Sequence, residues 1–333
     1  MNIGIKAIEY VLPEKELSND DLAEIYDDWT AEKILIKTGI AKRHVVLEEE
    51  CASDLAEKAA NKIFESGVIT PKDVDFIIFA TQSPDYQLPT TACILQDKLG
   101  IPKTAGAFDF NLGCSAYIYG LAMAKSFIYM GIAKNVLLLT AETYSKYIHP
   151  LDKSTRTIFG DAGAATVVCE NGHHIGEFDL GTDGSGKNAL IIPSGGSRLP
   201  RSEVTAIEKE DNGSIRSMDN LYMDGAEVFN FTIEAVPQSV GNILEKHNLN
   251  LSDIDLFVFH QANKFMLDFL RKKLKIDKEK FYINIEDIGN TVSATIPIAL
   301  KRAEEEGRLN KGNKVLITGF GVGLSWGSTI ITW

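Results

Sequence analysis

The chain repeats itself once. Lys72-Asp73-Val74-Asp75-Phe76-Ile77-Ile78-Phe79-Ala80 and Ser252-Asp253-Ile254-Asp255-Leu256-Phe257-Val258-Phe259-His260 match almost class for class, the second copy starting 180 residues after the first. Short periods build solenoids, whereas two copies this far apart in 333 residues point to a duplicated half. Each copy follows a helical stretch (54–66 and 228–247) and leads into an amphipathic segment ending in Leu99-Gly100-Ile101 or Leu274-Lys275-Ile276. Segments 107–111 and 281–285 also correspond, each followed by a Gly-containing turn, a helix and a buried strand, 136–140 or 315–318. Each half then closes on glycines and a last strand. Continuous Val, Ile, Leu and Phe runs alternating with helices predict α/β sheets covered by helices on both faces. The expected organisation is two similar α/β halves, residues 1–175 and 176–333.

The segment 181–225, rich in glycine and mixed charge, reads as a loop-rich excursion. Its glycines lack the strand and helix context of a phosphate-binding loop, which argues against a nucleotide site. With 44% hydrophobic residues the chain can bury a large core. Met1-Asn2-Ile3-Gly4-Ile5-Lys6 runs straight into strand-like alternation without a charged leader, so secretion is not expected. The most apolar window, 114–133, is broken by Gly120 and Lys125 and fits a buried helix better than a membrane span. A cytoplasmic protein without membrane association is the expectation. A net charge of −12 argues against general nucleic-acid binding. Arg271-Lys272-Lys273-Leu274-Lys275, taken alone, is a solvated helix face. Cys51, Cys93, Cys114 and Cys169 are scattered without a CxxC, so neither a disulfide framework nor a metal site is expected.

Three turns at strand ends carry residues suited to chemistry. Cys114 stands between the strand-like 107–111 and an apolar helix, where unpaired N–H groups and the helix dipole would lower a thiol's pKa and make it a nucleophile. Cysteine is also a small buried hydrophobe, the plainer reading for any one cysteine. His260 ends the apolar run 254–259, and ligands of α/β sheets gather at the carboxyl ends of strands. Its neighbours Gln261 and Asn263 also fit a capped helix start. Gly289-Asn290-Thr291 is the second-half counterpart of the Cys114 turn and also fits an ordinary turn before a helix. If the halves pack by pseudo-twofold symmetry, a thiol, an imidazole and an amide converge, giving a nucleophile with neutral donors for a developing oxyanion.

At these residues the sequence resembles the β-ketoacyl-acyl-carrier-protein synthase III family of the thiolase superfamily. The match runs in order along the chain: Lys37-Thr38-Gly39-Ile40, Pro89-Thr90-Thr91-Ala92-Cys93, Asn111-Leu112-Gly113-Cys114-Ser115-Ala116, Phe159-Gly160-Asp161-Ala162-Gly163-Ala164, His260-Gln261-Ala262-Asn263, Gly289-Asn290-Thr291 and Phe320-Gly321-Val322-Gly323. The resemblance implies the thiolase-like fold in a layered αβαβα arrangement, a homodimer and a Cys114-His260-Asn290 triad. It implies acyl transfer from a thioester to Cys114, with the N–H groups of Cys114 and Val322 holding the oxyanion, and then decarboxylative condensation with a malonyl thioester on acyl carrier protein. No cofactor is implied, coenzyme A or phosphopantetheine thioesters being the substrates. Lys37, Leu88, Phe159, Asn263, Gly321 and Gly323 are the implied substrate-binding residues, Asn263 as support for the histidine and Leu88 as a residue reaching in from the partner subunit.

The sequence also departs from the family pattern. Where many relatives place a Trp four residues before the basic residue of the (R/K)TGI motif, this chain has Lys33, with Trp29 a turn earlier. The basic residue that relatives use for carrier docking is Phe265 here, which shifts the expectation to Lys264 and to Arg271 and Lys272. Two other functions share the residue types: transfer of a Cys-bound acyl group to an alcohol or amine without decarboxylation, and an idle partner subunit. Asn290 argues against the first and the intact Cys, His and Asn against the second. A papain-like hydrolase needs different sequence around its cysteine.

Overall fold

The computed structural model describes residues 2–333. Ten strands form its central sheet. The first half supplies β1 (Ile3–Val11), β2 (Phe76–Ala80), β3 (Gly106–Phe110), β4 (Asn135–Glu142) and β5 (Ala162–Glu170); the second supplies β6 (His173–Thr182), β7 (Leu256–Phe259), β8 (Phe281–Tyr282), β9 (Lys314–Gly321) and β10 (Ser325–Thr332). The spatial order is β8-β7-β9-β10-β6-β1-β5-β4-β2-β3, so each half repeats the other outward from the centre. β2 runs parallel to β3 and β4, and β7 parallel to β8 and β9, while the last strand of each half is antiparallel.

The repeated segments show why the same residues recur. Each apolar run becomes the parallel strand, β2 or β7. The preceding acid closes a single 3-10 turn: Asp73 accepts from the N–H of Thr70 at 3.0 Å, Asp253 from that of Asn250 at 2.8 Å. The second acid receives the neighbouring strand: Asp75 accepts from the N–H of Asn135 at 2.9 Å, Asp255 from that of Lys314 at 2.7 Å. Each pattern thus carries its own turn and its own register mark.

The halves meet at a seam where β1 pairs with β6 through Gly4 opposite His174 and Ile5 opposite His173. A Cβ on Gly4 would lie 2.0 Å from the carbonyl oxygen of His173, so only glycine allows this crossing. Helices α1 (Ala52–Glu65) and α2 (Thr91–Lys98) cover the outer face of the first half. Helices α4 (Gly225–Lys246) and α5 (Lys264–Lys273) cover that of the second. Between the halves lie α3 (Ala116–Tyr129) and α6 (Thr295–Glu305), touching strands of both. The result is five layers, αβαβα. Because α3 is walled on both sides it is apolar nearly all round, with Tyr117, Ile118 and Leu121 fully buried.

The excursion after β6 is more ordered than its composition suggests. Leu190–Ile191 pairs with Tyr222–Met223, and Lys209–Asp211 with Ser214–Arg216. Among the described residues no helix is long and apolar enough to cross a membrane.

Candidate active site

Cys114 lies in the turn between β3 and α3, two residues before the helix begins, and is 4% exposed. The end of β9 passes directly over it. A Cβ on Gly321 would come within 3.0 Å of Sγ and 2.9 Å of Cys114 Cβ, so the glycine keeps the thiol uncovered. The expected lowering of the thiol pKa is overturned. Burial pushes it well above the usual thiol range, the nearby Glu142 carboxylate pushes the same way when ionised, and the backbone N–H of Cys114 opposes them. Desolvation, in a site walled by strands of both halves, is the largest of these causes.

His260 follows β7 directly, its N–H donating to the carbonyl of Thr318 on β9 at 2.8 Å. The ring is 2% exposed, and burial pushes its pKa down to about 3, so it is neutral. Its Nδ1 lies 2.7 Å from Oγ1 of Thr295, which in turn lies 3.0 Å from the carbonyl oxygen of Val292. Asn263 is not hydrogen-bonded to the ring: its Oδ1 accepts from the N–H of Met266 at 2.9 Å and caps α5.

Asn290 is pinned across the interface between the halves. Its N–H donates to Ile158 O at 2.9 Å and its carbonyl accepts from Gly160 N–H at 3.0 Å. Gly160 permits the approach, since a Cβ there would lie 2.7 Å from the carbonyl of Ile288. The side-chain Oδ1 accepts from Val292 N–H at 2.9 Å, which leaves the Nδ2 amide group to donate. Val292 itself has φ 54, a conformation strained for a β-branched residue.

Cys114, His260 and Asn290 line one apolar cavity together with Phe159, Asn263 and Gly321. Leu190 and Met223 from the excursion, Val228 and Met266 from the outer helices, and Ile158, Ala262 and Phe320 complete the wall. None of these seven was expected from sequence, because apolar residues carry no signal of which cavity they face.

The remaining expected residues lie outside this lining. Val322 packs beside the Cys114 turn, since a Cβ on Gly113 would meet its Cγ1 at 2.7 Å. Gly323 is exposed in the turn between β9 and β10. Lys37 is exposed, its Nζ 4.5 Å over the Trp29 ring, and Lys33 covers the same ring at 5.5 Å. Leu88 is 85% exposed. Lys264 begins α5 and pairs with Asp268 at 2.6 Å. Lys272 is exposed in the last turn, whereas Arg271 donates to Ile276 O at 3.1 Å and closes the helix end. Among the described residues no cluster of three or more His, Cys, Asp or Glu is arranged to hold a metal ion.

Residues 108–184 match the 3-oxoacyl-[acyl-carrier-protein] synthase III family model, and residues 244–333 match the model of that enzyme's C-terminal part. The β-ketoacyl-[acyl-carrier-protein] synthase III of Caldanaerobacter subterraneus subsp. tengcongensis is 41% identical over 99% of this chain and 97% of its own. That of Clostridioides difficile is 41% identical over 99% and 98%. A crystal structure of a 3-oxoacyl-(acyl-carrier-protein) synthase III superposes with a TM-score of 0.98 at 49% identity, covering all of both chains. The Thermus thermophilus synthase III gives 0.88 at 37% identity over 99% of each. Full-length identity at this level, on the same layered frame, places the chain in the β-ketoacyl-[acyl-carrier-protein] synthase III family.

Proposed function

We propose that the protein is a condensing enzyme that extends an acyl group by two carbons from malonyl carrier protein. The observation that carries this reading is the meeting of Cys114, His260 and Asn290 in one apolar cavity, with the side-chain Oδ1 of Asn290 already occupied and its Nδ2 left to donate.

In the first half-reaction Cys114 Sγ attacks the thioester carbonyl of an acyl donor. The N–H groups of Cys114 and Val322 hold the oxyanion, the thiol proton passes through His260, and the donor leaves as its free thiol. Burial pushes the thiol's pKa up, which favours a deprotonation that accompanies attack over a standing thiolate. In the second half-reaction the carboxylate carbon of the malonyl thioester leaves as carbon dioxide, and its bonding electrons form an enolate whose oxygen accepts from Asn290 and His260. The enolate carbon then attacks the acyl carbon, and Cys114 leaves as thiolate and takes up one proton. No cofactor is required; coenzyme A or phosphopantetheine thioesters are the substrates.

The lining residues Phe159, Asn263 and Gly321 shape the substrate channel, and Lys37, beside Trp29, lies among the contacts for the thioester's carrier arm. Gly323 shapes the turn that presents Val322. The exposure of Leu88 supports a homodimer in which it reaches the partner's cavity. Lys264, though paired with Asp268, and Lys272 are exposed on the helix that would face an acidic carrier protein. The matched strand orders support dividing the chain into halves, with a cut at 175/176 falling inside β6. A cytoplasmic location belongs to the same reading.

Intact-protein mass spectrometry tests it. Wild type and Cys114→Ala are incubated with a panel of acyl-coenzyme A and acyl-carrier thioesters, then with malonyl carrier protein. An adduct on wild type alone, discharged as a β-ketoacyl product appears, is expected. An adduct that never discharges onto malonyl carrier protein would mean an acyltransferase instead.

A further inference from the structure

Thr295 has one hydroxyl proton and two partners. Its Oγ1 lies 2.7 Å from Nδ1 of His260 and 3.0 Å from the carbonyl oxygen of Val292. The carbonyl can only accept, whereas an imidazole nitrogen donates or accepts according to tautomer. Two arrangements follow. When the hydroxyl proton goes to Val292, Nδ1 must carry hydrogen and donate to Oγ1, and Nε2 is bare. When it goes to Nδ1, Nε2 carries the hydrogen. The first satisfies the hydroxyl, the ring nitrogen and the carbonyl together, and all three residues are buried. Since the ring is neutral, the tautomer is what can change.

The two half-reactions ask opposite things of Nε2. Acyl transfer needs it bare, to receive the Cys114 proton and return it to the departing thiolate. Decarboxylation needs it protonated, to donate to the developing enolate oxygen. We infer that the Thr295 hydroxyl is a positioning group that decides which nitrogen of His260 carries the proton, holding Nδ1–H for acyl loading and turning its own proton from Val292 to Nδ1 for decarboxylation. The exchange is balanced: Nδ1 releases one proton, Nε2 gains one, water carries it, and the ring stays neutral. This inference rests on the condensing reading. Val292 joins the two donors, its N–H fixing the Asn290 amide and its carbonyl receiving Thr295.

The test uses full-length protein labelled with 15N histidine, as wild type, Thr295→Ser and Thr295→Val, with His260→Gln to assign the resonance among six histidines. Long-range 1H–15N spectra read the tautomer, and acyl loading is timed separately from condensation of pre-loaded enzyme. Wild type and Thr295→Ser are expected to show Nδ1–H at rest. Thr295→Val is expected to move to Nε2–H and to lose acyl loading by roughly tenfold or more, with a smaller loss in condensation. Nε2–H in resting wild type overturns the inference, and this spectrum suffices even where Thr295→Val fails to fold. So does an unchanged Nδ1–H tautomer in Thr295→Val with both half-reactions falling equally. Failure of wild type to load or condense with any donor would instead sink the condensing reading, leaving the tautomer result intact.

Discussion

The N–H of Val292 donates to Oδ1 of Asn290 at 2.9 Å, so the orientation of the amide is set by the backbone two residues along. Asp at position 290 would keep that acceptor and replace the donor with a carboxylate oxygen. Asn290→Asp is therefore expected to load acyl groups on Cys114 while condensation falls by about a hundredfold to a thousandfold, the usual cost of one oxyanion donor. Mass spectrometry of the acyl-enzyme and assay of the β-ketoacyl product separate the two; an equal loss in both would mean that the amide acts in loading as well.

Gly321→Ala places a methyl within 3.0 Å of the Cys114 sulfur. Acyl loading should fall at least tenfold, with a stability cost of about 1–3 kcal/mol from overpacking. Loading at the wild-type rate would show that the strand end yields.

Alkylation should follow burial. Cys93 is exposed, whereas Cys114 is buried with its thiol pushed up in pKa. Iodoacetamide at neutral pH, read by peptide mapping, should modify Cys93 well before Cys114. Preferential labelling of Cys114 would mean that a thiolate stands in the resting site.

Glu142 is fully buried, accepting from Gln82 N–H at 2.9 Å and from the Ser83 and Ser293 hydroxyls at 3.1 and 2.9 Å. Burial raises its pKa to about 8, and that of buried Asp161 to about 6. Both hold protons in the folded state at pH values where the unfolded chain has lost them. The folded form therefore binds more protons, and stability falls as pH rises from about 4.5 to 8. Glu142→Gln should flatten that slope in urea titrations run across this window; a slope identical to wild type would mean that Glu142 is ionised in the folded protein.

The frame was legible because it is written twice. Asp73 and Asp253, and Asp75 and Asp255, make the same bonds in both halves, so the pattern carried geometry as well as class. Cys114, His260 and Asn290 were legible as polar residues at the ends of apolar strands. Leu190 and Met223 were not, because their segment is rich in glycine and its two-residue strands are too short to leave a period. Local sequence does not reveal the burial that pushes the thiol's pKa up, since desolvation depends on walls contributed from more than a hundred residues away. Thr295 was invisible for a related reason, its partner His260 being distant in sequence.

The crossing at Gly4 also sets an order of events during synthesis. β1 leaves the ribosome well before its partners, β5 and the start of β6, so its place in the sheet stays empty until they are made. Such distant pairing makes for slow folding. Until then the nascent chain has an unpaired strand edge at risk of mispairing, and it holds a cysteine whose histidine and asparagine do not yet exist. The thiol thus acquires its companions only when the second half closes over it, so a product truncated before His260 would lack the chemistry entirely.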